Sequence, residues 1–150
     1  MQILFFLANL FFAGILAGME IAIHYGVGAA PAALDDGSQV LFRQGLIRKL
    51  RVLVPAFFLP AVLSAVAITI LDHTKPGFWL RCAALLALLV WIVARVIVTV
   101  PTNSATLTWD AEAPPPNWKA LVERTENFHV VGVWAALVAF VCLLSAIAVK

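Results

Sequence analysis

Two glutamate–histidine pairs are the residues of this chain whose types and spacing could do chemistry. Glu20 and His24 are four positions apart, and Glu126 and His129 are three apart, so each pair is predicted to share one face of a helix. A histidine beside a carboxylate can act as a base near neutral pH. Imidazole and carboxylate groups are also ligands for transition metals. These four residues are therefore candidates both for acid–base catalysis and for metal binding.

The metal hypothesis takes a restricted form in this sequence. In carboxylate-bridged di-iron bundles, two helices each supply a Glu-x-x-His pair and the other two each supply a further glutamate. The second and third apolar segments contain no glutamate, so the complete di-iron ligand set is absent. A mononuclear transition-metal site remains, with Glu20, His24, Glu126 and His129 as candidate ligands, as does a haem held by His24 and His129.

Cofactor-free chemistry would need groups that stabilise a developing oxyanion or enolate. Arg95, Arg124 and Asn103 are the candidates for that role, and Arg95, Trp118 and Trp134 for substrate binding. A purely structural interpretation also stays open, since charges at the membrane interface anchor helix ends and pair with one another.

The composition determines which class of protein positions these residues. Of the 150 residues, 63% are hydrophobic and 12% are charged, whereas a soluble domain is about half apolar and about a quarter charged. We therefore predict a single integral-membrane domain. The net charge of +2 does not indicate a nucleic-acid partner. Cys82 and Cys142 both lie in apolar runs and form no CxxC motif, which argues against thiol–disulfide chemistry.

Four apolar segments predict an all-α, four-helix transmembrane bundle. The first segment has no charge before Glu20, which favours a retained span over a cleaved signal peptide. A loop is expected from Pro31 to about Arg43, with a short interfacial helix over residues 38–51. The predicted spans cover residues 3–24, 52–71, 78–100 and 118–149.

Basic residues set the expected orientation in a bacterial inner membrane. They are concentrated in the first and third connections, and cytoplasmic loops carry the excess of lysine and arginine. The prediction places loops 25–51 and 101–117 in the cytoplasm and both termini outside.

Alternation of the four spans brings most of the polar residues to one end of the bundle. Inward-facing polar groups at one end of a helix bundle are a common way to build a site. The residues predicted to meet there are Glu20, His24, Arg48, Arg51, Arg95, Thr99, Asn103, Arg124, Glu126 and His129.

Several of these motifs resemble the anthrone-oxygenase-like family of small four-span membrane proteins. They are FFAGILAGME followed by His24, the Pro31-Ala32 pair, the prolines of the second span, Pro101-Thr102-Asn103, and Trp118 with Arg124 and His129. The resemblance implies insertion of oxygen into a lipophilic phenolic, anthrone-like or quinol-like substrate without a metal or organic cofactor. It assigns the site to His24, Asn103, Trp118, Arg124 and His129, and helix periodicity adds Glu20 and Glu126.

Two further functions stay open beside this one. The chain could be a non-enzymatic accessory or scaffold subunit of a larger membrane complex, or a homo-oligomer, since Gly14 and Gly18 form a GxxxG motif that allows close helix approach. It could also be a haem- or metal-binding membrane protein that uses His24 and His129. The expected partners are the lipid bilayer and a lipophilic small molecule.

Overall fold

A computed structural model describes residues 2–28 and 30–149. The helices are α1 (Gln2–Ile21), α2 (Asp36–Leu71), α3 (Phe78–Ala94), α4 (Val100–Thr106) and α5 (Trp118–Ala148). A π-helical turn at Ala22–Val27 continues α1, a second at Arg95–Thr99 joins α3 to α4, and a short 3₁₀ helix covers Ala30–Ala33. The described residues contain no strand, so the predicted all-α fold is confirmed.

Four helical stretches are long and apolar enough to cross a membrane, namely Ile3–Ala33, Asp36–Leu71, Phe78–Thr106 and Trp118–Ala148. Their outer surface is hydrophobic, with side chains such as Leu7, Leu63 and Leu86 largely exposed. The core is rich in alanine, including Ala17, Ala65 and Ala139. Small residues inside and large apolar residues outside are typical of helices that pack closely within lipid. The predicted four-helix membrane bundle is therefore supported.

Helix α2 begins earlier than the sequence pattern indicated. The side chain of Asp35 accepts a hydrogen bond from the backbone N–H of Ser38, at 3.0 Å, which caps the first turn. The hydrogen bonds from Ser38 hold the pKa of the Asp35 carboxyl below its usual range. As a result the predicted loop ends before Asp36, and the predicted interfacial helix is the first part of one helix that continues to Leu71.

Among the described residues, three prolines lie within α-helices, and one of them, Pro101, does not end the third span as predicted. Pro55 and Pro60 lie inside α2, which continues past both of them. Pro101, the expected end of the third span, instead lies in the first turn of α4. Proline is tolerated there because the first residues of a helix need no backbone donor. The third membrane stretch therefore extends to Thr106.

The four long helices form a ring with one loose contact. Helix α1 packs against α2 and α5, α3 packs extensively against α5, and α2 meets α3 over a much smaller area. Gly14 faces the ring of Phe140, to which an added Cβ would come within 3.2 Å. This half of the GxxxG motif is therefore used inside the bundle. The loose contact between α2 and α3 leaves a gap beside the polar end.

The opposite end of the bundle is closed by a tight turn. The buried guanidinium of Arg81 donates to the carbonyl oxygen of Asp72 at 2.9 Å. Gly77 adopts a φ of 83°, and an added Cβ would lie 2.7 Å from the carbonyl oxygen of Ala146. Such a backbone strongly favours glycine. The polar residues at this end therefore serve to fix the turn between α2 and α3.

Candidate functional site

Glu20 is the centre of a buried polar trio with Arg95 and His129. Its side chain is 0% exposed, and both of its carboxylate oxygens accept hydrogen bonds from Nη2 of Arg95. Nε2 of His129 lies 2.8 Å from Oε2 of Glu20 and 2.8 Å from Nη2 of Arg95. An ionised carboxylate only accepts hydrogen bonds, so a bond between Nε2 of His129 and Glu20 requires a proton on Nε2, whereas an Nε2 without a proton would accept from the Arg95 guanidinium. We assign the proton to Nε2, which places it in the bond with Glu20. The trio therefore joins α1, the π-helical turn before α4, and α5.

A second polar layer lies beside this trio, with Glu126 at its centre. Oε1 of Glu126 accepts a hydrogen bond from Nη1 of Arg43 at 3.1 Å, and Oε2 lies 3.8 Å from Nδ1 of His24. That nitrogen is buried and has no hydrogen-bond partner among the described residues. The ring of His24 stands edge-on to that of His129, with 5.4 Å between centroids. The two layers are therefore in direct contact.

The glutamates and histidines pair across helices. Glu20 contacts His129 and Glu126 approaches His24. Glu126 and His129 share a face of α5 as predicted, since both line the vestibule, whereas Glu20 has His129 and not the predicted His24 as its partner. Helix α1 changes to π-helical geometry at Ala22, directly after Glu20. Bonding of i to i+5 shifts the following residues away from the i+4 position of an α-helix. We attribute the exchange of partners at α1 to this shift.

Both π-helical turns lie at the site. The first carries His24, and the second carries Arg95 and Thr99. Single π-helical turns within α-helices are rare and occur frequently at functional sites. Their presence on two different helices, next to the same group of charges, marks this end of the bundle as the candidate site.

A small polar cavity, here called the vestibule, opens beside His129 and has a volume of about 80 Å³. Its polar lining comes from α2, the second π-helical turn, α4 and α5, and includes Arg43, Thr102, Thr125 and Glu126. A space of this size holds a few water molecules or a small molecule such as O₂. The vestibule therefore gives His129 access to small polar reactants.

A larger cavity, here called the cleft, lies in the gap between α2 and the α3–α4 stretch and has a volume of about 680 Å³. Val54, Phe58 and Ile92 give it an apolar wall, and Leu59 and Val100 at its edge are more than half exposed. In a bilayer this edge would face lipid. The cleft is thus large enough for a small-molecule ligand that arrives from the membrane.

The cleft and the vestibule share part of their walls. The residues common to both linings are Ile47, Leu50, Arg95, Thr99 and Asn103. Arg95 therefore contacts the apolar chamber and the polar one while it is ion-paired with Glu20. A ligand in the cleft would direct its polar end toward this shared wall.

Six of the nine predicted site residues lie together at the candidate site, and the other three lie away from it. Glu20, His24, Arg95, Asn103, Glu126 and His129 lie in the trio, the second layer or the shared wall.

Arg124, Trp118 and Trp134 lie outside both linings. Arg124 is exposed and forms no ion pair with any described residue. The face of α5 that lines the vestibule carries Val122, Thr125 and Glu126, so Arg124 lies on a different face of the helix. Trp134 is 57% exposed on the outer surface. Trp118 is buried against Trp109, with 6.5 Å between ring centroids.

Arg43 is a site residue that sequence reasoning missed. The sequence pattern predicts Arg43 at the end of a loop, whereas its guanidinium donates a hydrogen bond to Glu126 from within α2. The signal was the helical spacing of Arg43, Ile47, Leu50 and Val54, which places them on one face. This face lines the vestibule and the cleft. In contrast, Arg48 is exposed and lies in neither lining.

The second layer contains a group that could hold a metal ion. Ligand atoms of His24, Glu126 and His129 lie within 4.8 Å of one another. The predicted fourth ligand, Glu20, is outside this group because Arg95 and His129 already occupy its carboxylate. A haem between the two histidines does not fit, since their rings are in contact and the vestibule is far smaller than a porphyrin. The cleft has no histidine in its lining.

Comparisons with known proteins found no matching family, no matching curated protein and no matching solved structure.

Proposed function

We propose that this protein is a small integral-membrane oxidoreductase that oxidises a lipophilic phenolic, anthrone-like or quinol-like compound with O₂. The observation that carries the proposal is the position of Arg95, which lies in the wall shared by the cleft and the vestibule and is bonded to Glu20 beside His129. This arrangement connects an apolar chamber to a buried acid–base group. The resemblance of the sequence to anthrone oxygenases supplies the substrate class.

The cleft would bind the apolar body of the substrate. Phe58 and Trp91 stack along its wall with 4.5 Å between centroids, which gives a flat aromatic surface suited to a planar ring system. The guanidinium of Arg95 lies 5.1 Å from the centre of the Trp91 ring. A phenolate or enolate oxygen placed at this end would meet Arg95 and Asn103. The substrate would enter sideways from the bilayer, through the gap between α2 and α3.

The polar trio would accept a proton from the bound substrate by way of the vestibule, because His129 lines the vestibule and not the cleft. The bond from Nε2 of His129 to Glu20 leaves Nδ1 as the basic nitrogen of the ring. Arg95 and Asn103 would stabilise the resulting oxygen anion. In an anthrone-like substrate, the reacting CH₂ carbon becomes C=O. One atom of O₂ enters the substrate, and the other leaves as water with the two methylene hydrogens.

The proposal predicts that filling the cleft will block the substrate. Ile92→Trp places a large ring in the cleft and should raise KM for an anthrone at least several-fold, because the substrate and the new ring compete for one space. Val93→Trp is the matched control, since Val93 is exposed on the outer surface and outside the cleft lining. The measurement is O₂ consumption by the purified protein in mild detergent. Equal KM values for the two variants would show that the cleft is not the substrate site.

The wild-type protein also tests the enzyme class itself. If it consumes no O₂ with any anthrone, phenol or quinol and purifies with a stoichiometric membrane partner, the proposal fails in favour of an accessory subunit. Gly18 is an exposed position in α1 that such a partner could contact.

We further propose that the vestibule opens toward the cytoplasm. The basic residues Arg43, Arg48, Lys49 and Arg51 lie at this end of the bundle, in the first half of α2, and positive residues are retained on the cytoplasmic side. A reporter enzyme active only outside the cytoplasm, fused after the C-terminus, should therefore be active. The same reporter inserted at Glu112 should be inactive. The reverse pattern would invert the orientation.

A further inference from the structure

We propose that His24, Glu126 and His129 bind one divalent transition-metal ion beside the vestibule, whose wall includes Glu126 and His129. Their ligand atoms already lie within 4.8 Å of one another, and the group combines two imidazoles with one carboxylate. Distances between ligands of a bound metal are shorter than this, so the side chains would close in by small rotations on binding. The inference goes beyond the proposed oxidation and does not depend on the identity of its substrate. It describes a metal-bound form in which Nδ1 of His129 coordinates the ion, so in that form His129 would not also act as the base.

Each ligand has an atom available for the metal. Nδ1 of His24 is buried without a hydrogen-bond partner among the described residues, and an unpaired buried polar atom is costly unless a ligand satisfies it. Oε1 of Glu126 is bonded to Arg43, whereas Oε2 faces His24 at 3.8 Å. The arginine thus orients the carboxylate and leaves one oxygen for coordination.

His129 has the support that metal-binding histidines usually have. Its Nε2 donates to the fully buried Glu20 at 2.8 Å, and among the described residues Nδ1 has no hydrogen-bond partner. A histidine that coordinates a metal almost always donates its other ring N–H to a carboxylate or carbonyl, which fixes the tautomer. Glu20 would serve as this supporting carboxylate and would not coordinate the metal itself.

The donor set indicates the class of metal. Imidazole ligands suit zinc, iron, copper and nickel, and two histidines with one carboxylate and open positions are typical of non-haem iron(II) oxygenases. The vestibule beside the group has room for a few small molecules at such open positions. Arg43 and Arg95 balance the charges of Glu20 and Glu126, so an anionic ligand would be favoured at the metal. We therefore infer an iron(II)-type site.

Cobalt(II) is a suitable probe, because it occupies such sites and its visible absorption bands report imidazole and carboxylate coordination. Chelator-treated protein in mild detergent would be titrated with Co²⁺ alone. We expect visible bands that saturate at one Co²⁺ per chain and a higher melting temperature with Co²⁺ present. His24→Ala and Glu126→Gln should each abolish the saturable bands. Glu20→Gln, measured on the fraction that gel filtration shows to be folded, should weaken binding by about 10- to 100-fold, as loss of a supporting carboxylate does.

Two matched variants control for non-specific binding. His73→Ala removes the third histidine of the chain, which is exposed at the opposite end. Glu123→Gln removes an exposed glutamate one turn before Glu126 on α5. Both should keep wild-type Co²⁺ binding. If His24→Ala does not fold, as judged by circular dichroism and gel filtration, His24→Gln provides the same test without opening a cavity.

The result can overturn the inference in two ways. Absence of saturable binding by the folded wild-type protein would exclude the site. Binding that survives in the folded His24 and Glu126 variants, or is lost in the His73 variant, would place the metal elsewhere.

O₂ consumption by chelator-treated protein separates this inference from the proposed function. Substrate oxidation without Co²⁺ binding would reject the metal site and keep the oxidase. Co²⁺ binding with no oxidation of any tested substrate would support the metal site and reject the proposed oxidase function.

Discussion

Glu20→Gln will destabilise the folded bundle by about 3–5 kcal/mol, the usual cost of breaking a buried ion pair. The substitution leaves the Arg95 guanidinium without its counter-ion at a position where Glu20 is fully buried. Glutamine is close to glutamate in size, so the loss reports charge and not packing. The free energy of unfolding would be measured in mixed detergent micelles with SDS as the denaturant.

A double variant shows whether the ion pair is the cause. Glu20→Gln combined with Arg95→Gln removes both charges, and we expect it to recover most of the lost stability, because no unpaired charge remains. Glu112→Gln, at an exposed glutamate in the connection before α5, should change the stability little. If the double variant is as unstable as the sum of its two single variants, the pair is not coupled and the described geometry of the trio is wrong.

His129→Gln will lower kcat/KM by about 10²–10⁴-fold, the range that loss of a general base typically produces. Glutamine keeps an N–H that can donate to Glu20, so the bundle should remain folded, but it provides no basic nitrogen. The assay is O₂ consumption with an anthrone, and circular dichroism would check the fold.

His73→Gln is the control for this prediction, because His73 is exposed at the far end, where its Nδ1 lies 3.1 Å from the carbonyl oxygen of Ile70. Its turnover should equal that of the wild-type protein. Turnover by His129→Gln close to the wild-type rate would reject His129 as the base. If His129→Gln loses turnover because it unfolds, the assay would be repeated with His129→Asn, and the role of His129 as the base would be judged from that variant.

The sequence was sufficient to predict the class of fold and the end of the bundle that holds the site. Composition and the lengths of the apolar segments follow directly from the thickness of a bilayer, and the four long helices agree with them. Alternation of the spans then requires that Glu20, Arg95 and His129 lie at the same end. That argument needs only the chain order, and the structure brings these three side chains into contact.

Helix boundaries and side-chain partners were harder to predict from local patterns. The first turn of α2 depends on one capping bond from Ser38 to Asp35, and a polar stretch such as this one is equally typical of a loop. The separation of His24 from Glu20 depends on the π-helical turn that begins at Ala22. Periodicity arguments assume an uninterrupted α-helix, so a turn bonded from i to i+5 invalidates them locally.

By itself, therefore, the sequence determined a four-span membrane bundle with most of its ionisable residues at one end, because hydrophobicity and chain order are properties of the sequence alone. Only the tertiary structure showed that Arg43 holds Glu126 and that Arg95 lies between two cavities. The cleft exists because α2 and α3 pack loosely beside the tight α3–α5 contact. How closely two helices approach depends on the side chains of all four, and no single segment encodes it.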